Sequence, residues 1–271
     1  MAQSKEEINH NTESLNQFKM SWFSLKGKVA IISGGNTGLG QGYAVAMAEA
    51  GADVFIPTFG EQGWDDTRKL IEDRGQRVEF MQADLTKEGI ADKVVSEAMR
   101  KFGHIDILVN NAGMIKRNPL LQSNDEDWDN VIAINLSAVY HLSLAASKEF
   151  AKQRSGNMVH LGAMLSFQGG NFIPSYTAAK HGVAGLTKAF ASEMAAYNVQ
   201  VNAIAPGYIK TANTEPIRAD ESRNNEILGR IPAGHWGEPY ELMGISVYLA
   251  SNAANYINGA IIPVDGGYLV R

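Results

Sequence analysis

The chain has 271 residues, 45% hydrophobic and 20% charged, with 27 glycines against 8 prolines and no cysteine. Its 29 acidic and 24 basic side chains leave a net charge of −5, which argues against the concentrated positive field of a nucleic-acid or anionic-membrane binder. Without cysteine there are no disulfides, thiolate metal sites or sulfur nucleophiles, which fits a reducing cytoplasm. Any chemistry must therefore use oxygen, nitrogen or a bound cofactor.

Residues 1–21 are rich in Glu, Asn, Gln, Ser and Lys and read as a polar N-terminal arm with a helical pattern over 6–18. The arm lacks the apolar centre of a signal peptide and the arginine pattern of a transit peptide. No apolar run approaches the roughly 20 residues that span a bilayer. From residue 22 to 271 the pattern is regular and predicts a single domain. Short β-branched runs at 29–33, 53–57, 78–82, 107–110, 157–161, 200–204 and 260–264 predict strands. Between them, 41–50, 64–74, 90–102, 128–153 and 178–197 predict helices. In the last of these, Val183, Leu186, Phe190, Met194 and Tyr197 recur every three or four residues and predict one apolar stripe. Strands alternating with helices of this length imply α/β architecture, a doubly wound parallel sheet covered on both faces.

Directly after the first strand stands Ser33-Gly34-Gly35-Asn36-Thr37-Gly38-Leu39-Gly40, opening a helix. Glycines let such a turn tighten and bring backbone N–H groups against a pyrophosphate, while the helix N-terminus supplies free donors and partial positive charge. Tyr176 and Lys180 are four apart, so on a helix they share a face and project into one cleft. An ammonium beside a phenol favours phenolate. Moving the tyrosine from its usual value near 10 to about 7 takes roughly 4 kcal/mol, for which Lys180 and a cofactor's positive charge are the expected sources. His10, His104, His141, His160, His181 and His235 show no metal-ligand spacing. His160 lies inside an apolar strand and reads as a hydrogen-bonded core residue, and no metal site is inferred.

The G-x-x-x-G-x-G spacing, Asn110-Asn111-Ala112-Gly113, Tyr176-Thr177-Ala178-Ala179-Lys180, Pro206-Gly207-Tyr208-Ile209-Lys210-Thr211 and Val264-Asp265-Gly266-Gly267 together resemble the short-chain dehydrogenase/reductase family. The resemblance covers residues 23–271. It implies a Rossmann-type sheet of strand order 3-2-1-4-5-6-7, a nicotinamide dinucleotide and a homotetramer. By the same resemblance Gly34, Asn36, Thr37, Gly38, Leu39 and Gly40 cradle the cofactor. Asp84 and Leu85 flank the adenine, and Asn111, Ala112 and Gly113 line the adenosine half. Pro206, Gly207, Ile209 and Thr211 meet the nicotinamide end. Asn135 holds a water that links Lys180 to solvent, and Tyr176 is the acid–base group.

Two positions depart from that pattern. The tip of the second strand falls at Thr58, where a ribose-binding acid is expected; neither acid nor cation stands there, although Glu61 follows. The missing cation favours NAD(H) over NADP(H), because a dianionic phosphate would stand unpaired. The second departure is Ala163, thirteen residues before Tyr176, where the family places a serine that hydrogen-bonds the substrate oxygen. Losing one such donor lowers turnover about 10²–10³-fold. Three accounts stand open: an engineered replacement, takeover by Ser166 or a water, and a protein that binds cofactor with little catalysis.

For substrate, residues 164–176, Arg218-Ala219-Asp220-Glu221 and Ile231-Pro232-Ala233-Gly234-His235-Trp236-Gly237 resemble the branch of the family acting on keto-deoxy sugar acids. That branch interconverts 3-deoxy-D-glycero-2,5-hexodiulosonate and 2-keto-3-deoxygluconate in uronate breakdown. Gluconate 5-dehydrogenase and 3-oxoacyl-type reductase chemistry are the alternatives. A sugar acid needs cations or donors for its carboxylate, for which Lys116, Arg117, Arg230 and His235 are candidates, with His235 standing where the branch leads one to expect Arg. Gln168, Asn171 and Trp236 are candidates for its hydroxyls and carbon faces. A polar lid is expected over about 213–236.

Overall fold

A computed structural model describes residues 15–270, so most of the arm helix expected over 6–18 lies outside the described residues. Seven strands form one parallel sheet: β1 (Val29–Ile32), β2 (Asp53–Thr58), β3 (Val78–Gln82), β4 (Ile107–Asn110), β5 (Gly156–Leu161), β6 (Val199–Pro206) and β7 (Ile261–Val264). Their order is β3-β2-β1-β4-β5-β6-β7, as the resemblance implies. In β1, alternation sends Ala30 and Ile32 to one face and Val29 and Ile31 to the other. The first face is covered by α1 (Gly38–Glu49), α2 (Trp64–Glu72) and α9 (Met243–Ala250), which bury Tyr43, Met47, Ile71 and Leu249. The second is covered by α3 (Ile90–Phe102), α5 (Ala138–Gln153) and α6 (Pro174–Met194), through Val94, Leu142, Phe150 and Met194.

Three boundaries differ from the sequence expectation, each for a local reason. The helix after β1 begins at Gly38 rather than 41, inside the glycine-rich turn. Helix α6 begins at Pro174 rather than 178, because proline is tolerated in a first helical turn, and this places Tyr176 near its start. The long run expected over 128–153 starts as α4 (Asp125–Ile132), capped by the Asn124 side chain. It then widens into a π segment at Ala133–Ser137 before α5. The expectation that no run is long and apolar enough to span a bilayer is corrected here: by length and composition Asp125–Gln153 would pass, yet half of its most apolar window is buried inside the protein.

The stripe expected on α6 also shifts. Its buried side is Ala179, Val183, Thr187, Ala191 and Met194, whereas Tyr197 is 42% exposed. A polar Thr187 sits in that stripe because it serves His160. Asn110 Nδ2 donates to Ser143 Oγ at 2.9 Å, and Ser143 Oγ meets His160 Nε2 at 3.0 Å. His160 Nδ1 meets Thr187 Oγ1 at 3.0 Å, and that hydroxyl donates to the Val183 carbonyl. The directions force one tautomer: Ser143 spends its hydrogen on Nε2, and Nδ1–H donates to Thr187. Burial and the nearby Lys180 ammonium hold this imidazole neutral, pushing its pKa down to about 4. His160 is thus the hydrogen-bonded core residue its strand context suggested.

Candidate active site

The sheet's carboxyl edge, where doubly wound folds bind ligands, carries every sequence motif named above. At the first turn, Gly40 allows α1 to press against the strand ends. A Cβ there would stand 2.1 Å from the Gly34 carbonyl oxygen and 2.4 Å from Asn111 Nδ2. Gly38 has φ +55 and faces open space. No side chain caps α1 and no acid stands in its first turn. The donors of that helix end therefore stay free for an anion, and the cradle fits a dinucleotide diphosphate.

Polar side chains around the cradle are used to build it. Asn111 Nδ2 donates to the Ser33 and Gly34 carbonyls at 3.0 and 3.2 Å, and the Asn111 and Ala112 N–H groups donate to Ser33 Oγ. Asn36 Nδ2 donates to the Gln62 carbonyl at 2.8 Å, drawing the loop after β2 over the turn. Thr58, expected at the ribose, has its hydroxyl committed: it accepts from Trp64 Nε1 at 2.9 Å and donates to the Gly60 carbonyl. The Asp84 carboxylate accepts from Thr86 N–H and Oγ1, which holds its pKa below the usual range. Both Thr86 bonds fall on Asp84 Oδ1, leaving Oδ2 with only Lys87 at 3.7 Å, while Leu85 turns into the core. Thr37 stands exposed beside this cradle, with Leu39 packed under it.

Tyr176 and Lys180 meet, as their spacing predicts. Lys180 is 4% exposed, its Nζ lies 5.3 Å from the centre of the Tyr176 ring, and it donates to the Leu161 carbonyl at 2.5 Å. Burial lowers the ammonium pKa to about 8. Burial raises the Tyr176 phenol to about 12, opposed by Arg117. The Lys180 ammonium thus makes one hydrogen bond to a carbonyl, and the cation that opposes the rise at the phenol is Arg117. The residues on either side of Arg117 are engaged elsewhere. Lys116 Nζ and Asn118 Nδ2 both engage Asp127, at 3.5 and 2.7 Å, while Asn118 N–H donates to the carbonyl of Phe172. Arg117 itself has no ion pair or hydrogen bond among the described residues.

Asn135 sits in the π segment, and its Nδ2 donates to the Met114 and Val131 carbonyls. Its Oδ1 is buried without a partner, 2.4 Å from where a Cβ of Gly113 would stand. An acceptor left in this way can hold a water. Ala163 lies in an apolar cluster with Met164, Leu165, Ile227, Ile231, Trp236 and Tyr268. Ser166 does not replace its missing hydroxyl. Its Oγ accepts from Ala163 N–H and donates to the Lys180 carbonyl at 2.9 Å, so it is consumed in joining β5 to α6.

The segment expected as a lid, 213–236, holds α7 (Glu215–Ala219) and α8 (Glu221–Leu228). Its base is closed by a bridge between Ile209 and Gly237, by Gly237 N–H on the Tyr208 carbonyl, and by the Lys210–Glu238 ion pair. Three substrate candidates have protein partners of their own. His235 Nδ1 meets the Trp236 carbonyl at 2.9 Å and lies 4.0 Å from the Glu241 carboxylate. The Arg230 guanidinium lies 4.3 Å over the Tyr268 ring. Trp236 is buried, donates to Asn224 Oδ1 at 2.7 Å and packs edge-on against Tyr208, so it pins the lid rather than presenting a free face. Gln168 is half-buried with no hydrogen bond among the described residues. Pro206 and Gly207 lead from β6 into this segment, where Thr211 N–H donates to Thr214 Oγ1. The Leu161 carbonyl and the Tyr208–Tyr268 wall escaped the sequence reading. A main-chain acceptor leaves no residue-type signal, whereas Tyr208 lay inside a motif that was already recognised.

A family model described as enoyl-(acyl carrier protein) reductase matches residues 34–269. The 2-dehydro-3-deoxy-D-gluconate 5-dehydrogenase of Escherichia coli is 49% identical over 253 residues, 93% of this chain and 99% of that protein. The uncharacterized oxidoreductase YgcW of the same organism is 48% identical over 259 residues, 96% of this chain and 99% of its own length. Among solved structures, a provisional 2-deoxy-D-gluconate 3-dehydrogenase of Agrobacterium tumefaciens with bound NADP superposes with TM-score 0.87 at 46% identity. That match covers 92% of this chain and 99% of that one.

Proposed function

The chain belongs to the short-chain dehydrogenase/reductase family, and on that premise we propose that it transfers hydride between a nicotinamide dinucleotide and a keto-deoxy sugar acid. The substrate pair is 3-deoxy-D-glycero-2,5-hexodiulosonate and 2-keto-3-deoxygluconate. The observation that carries this reading is the Tyr176 ring with the buried Lys180 ammonium 5.3 Å from its centre, beside the glycine cradle at the sheet's carboxyl edge. The dinucleotide, when bound in the glycine cradle, supplies or accepts the hydride. Tyr176 Oη gives the proton to the substrate oxygen, and Lys180 with a water on Asn135 Oδ1 returns one from solvent. Arg117 offers a planar fork to the substrate carboxylate or the carbonyl oxygen under reduction. Gln168 supplies a further donor.

The β2 tip carries neither a carboxylate to repel a 2′-phosphate nor a cation to hold one. The missing cation still supports NAD(H), and the NADP in the Agrobacterium relative weighs toward the phosphorylated form. Titration with both reduced dinucleotides decides. A homotetramer is proposed for the assembly, supported by the exposed Trp128, Tyr140 and Leu144 along the α4–α5 run, and light scattering tests it.

The test of function is oxidation of NADH or NADPH with the diulosonate, before and after Ala163→Ser. Turnover in either form supports the proposal, and its absence in both defeats it. The second reading, a cofactor binder with little catalysis, is supported by the apolar setting of Ala163 and the commitment of Ser166. It expects tight dinucleotide binding and no turnover even with serine restored.

A further inference from the structure

The lid carries one guanidinium that the protein leaves incompletely paired. Of its neighbours, Lys210 pairs with Glu238, Arg223 pairs with Glu226, and Arg230 stacks on Tyr268. Arg218 on α7 meets no carboxylate among the described residues. Its one hydrogen bond runs from Nη2 to the Thr211 carbonyl at 3.3 Å, and its Nε is buried with no partner. The nearest acid in sequence is unavailable, because Asp220 caps α8 by accepting from Arg223 N–H. A buried N–H without an acceptor is destabilising, so such atoms usually mark a partner that completes them. Five donors in a planar fork match the two oxygens of a carboxylate or phosphate.

Position agrees with that chemistry. Thr211 follows the carboxyl end of β6, at the edge where this type of sheet takes its ligands. Ile217, the preceding residue, packs into the apolar cluster around Ala163 and Tyr176. We infer that Arg218 is the anion seat of the lid: anionic oxygens of a carboxylate or phosphate ligand complete its fork, and seating them holds the 212–236 segment over the cleft. This rests on the proposed function for the identity of the ligand, though not for the existence of the seat.

The test uses the full chain with NADH, NADPH and 2-keto-3-deoxygluconate as probes, and the variants Arg218→Gln and Arg218→Lys. A tenfold or greater rise in dinucleotide Kd in Arg218→Gln, read by fluorescence, identifies the cofactor diphosphate as the seated anion. An unchanged dinucleotide Kd with a tenfold or greater rise in sugar-acid KM and kcat within threefold identifies the substrate carboxylate. Arg218→Lys should recover part of either loss. In the unsubstituted chain, phenylglyoxal labelling of Arg218, read by mass spectrometry, should slow at least fivefold under saturating dinucleotide or sugar acid. That measurement needs neither turnover nor a folded variant, so it speaks even if the sugar-acid reading fails. Labelling unaffected by every probe, or both constants within twofold of the parent in a folded Arg218→Gln, overturns the seat.

Discussion

The two halves of the cleft are built on opposite plans. On the dinucleotide side, side chains are consumed internally: Asn111 on Ser33 and Gly34, Thr58 on Trp64 and Gly60, Asp84 on Thr86. What remains for a ligand there is backbone, the uncapped start of α1 and the space over Gly38. On the substrate side the backbone is zipped at the lid base, and the unspent groups are side chains: Tyr176, Arg117, Gln168 and Arg218. A backbone cradle tolerates changes of side chain but not of shape, whereas a side-chain site can lose a function by losing one atom group.

The largest effect that would sharpen this contrast is at the acid–base group. Tyr176→Phe should lower kcat by about 10²–10⁴ while dinucleotide binding measured by fluorescence stays within threefold. Ala163→Ser should act in the opposite direction, raising kcat by about 10²–10³ through a restored donor to the substrate oxygen. A gain below threefold would show that the apolar cluster has closed the space the hydroxyl needs. On the other side, Gly40→Ala should break the cradle by shape alone. Its Cβ would meet main chain, so a destabilisation of about 1–3 kcal/mol in urea and loss of dinucleotide binding are expected, with the Tyr176–Lys180 pair untouched.

A smaller effect is expected between the two halves, at His160. Its folded pKa of about 4 lies below the usual 6.5, so between those values the unfolded chain binds more protons. Stability should therefore be fully present above pH 6.5 and fall as the pH drops toward 4, by up to about 3 kcal/mol. Urea midpoints across that range should show the slope in the parent and lose it in His160→Asn. Least of all, Lys210→Ala removes a partly exposed pair at the lid base and should cost below about 1 kcal/mol. Its readout is faster tryptic cleavage within 212–236.

Much of the scaffold was legible from residue pattern alone. Seven β-branched runs became seven strands in the implied order, because parallel strands buried on both faces must be apolar throughout. Tyr176 and Lys180 meet as their spacing requires. The π segment at Ala133–Ser137 was not legible: one extra residue in a helical turn leaves apolar periodicity almost unchanged, yet it helps set the position of Asn135. The direction of His235 was equally hidden, since it depends on Trp236 being pinned to Asn224 from another part of the lid.

By itself the sequence determined a parallel α/β sheet, a glycine-rich first turn, a tyrosine and a lysine four residues apart and the absence of a hydroxyl at 163. These are properties of residue type and spacing, which act locally and are written directly in the chain. Only the tertiary structure decided which groups remain unspent. It gave Ser166, Thr58, His235 and Trp236 protein partners and left Arg117 and Arg218 without acidic partners among the described residues. A side chain's availability depends on what distant segments bring against it, and hydrogen bonds and ion pairs form only once those segments are packed.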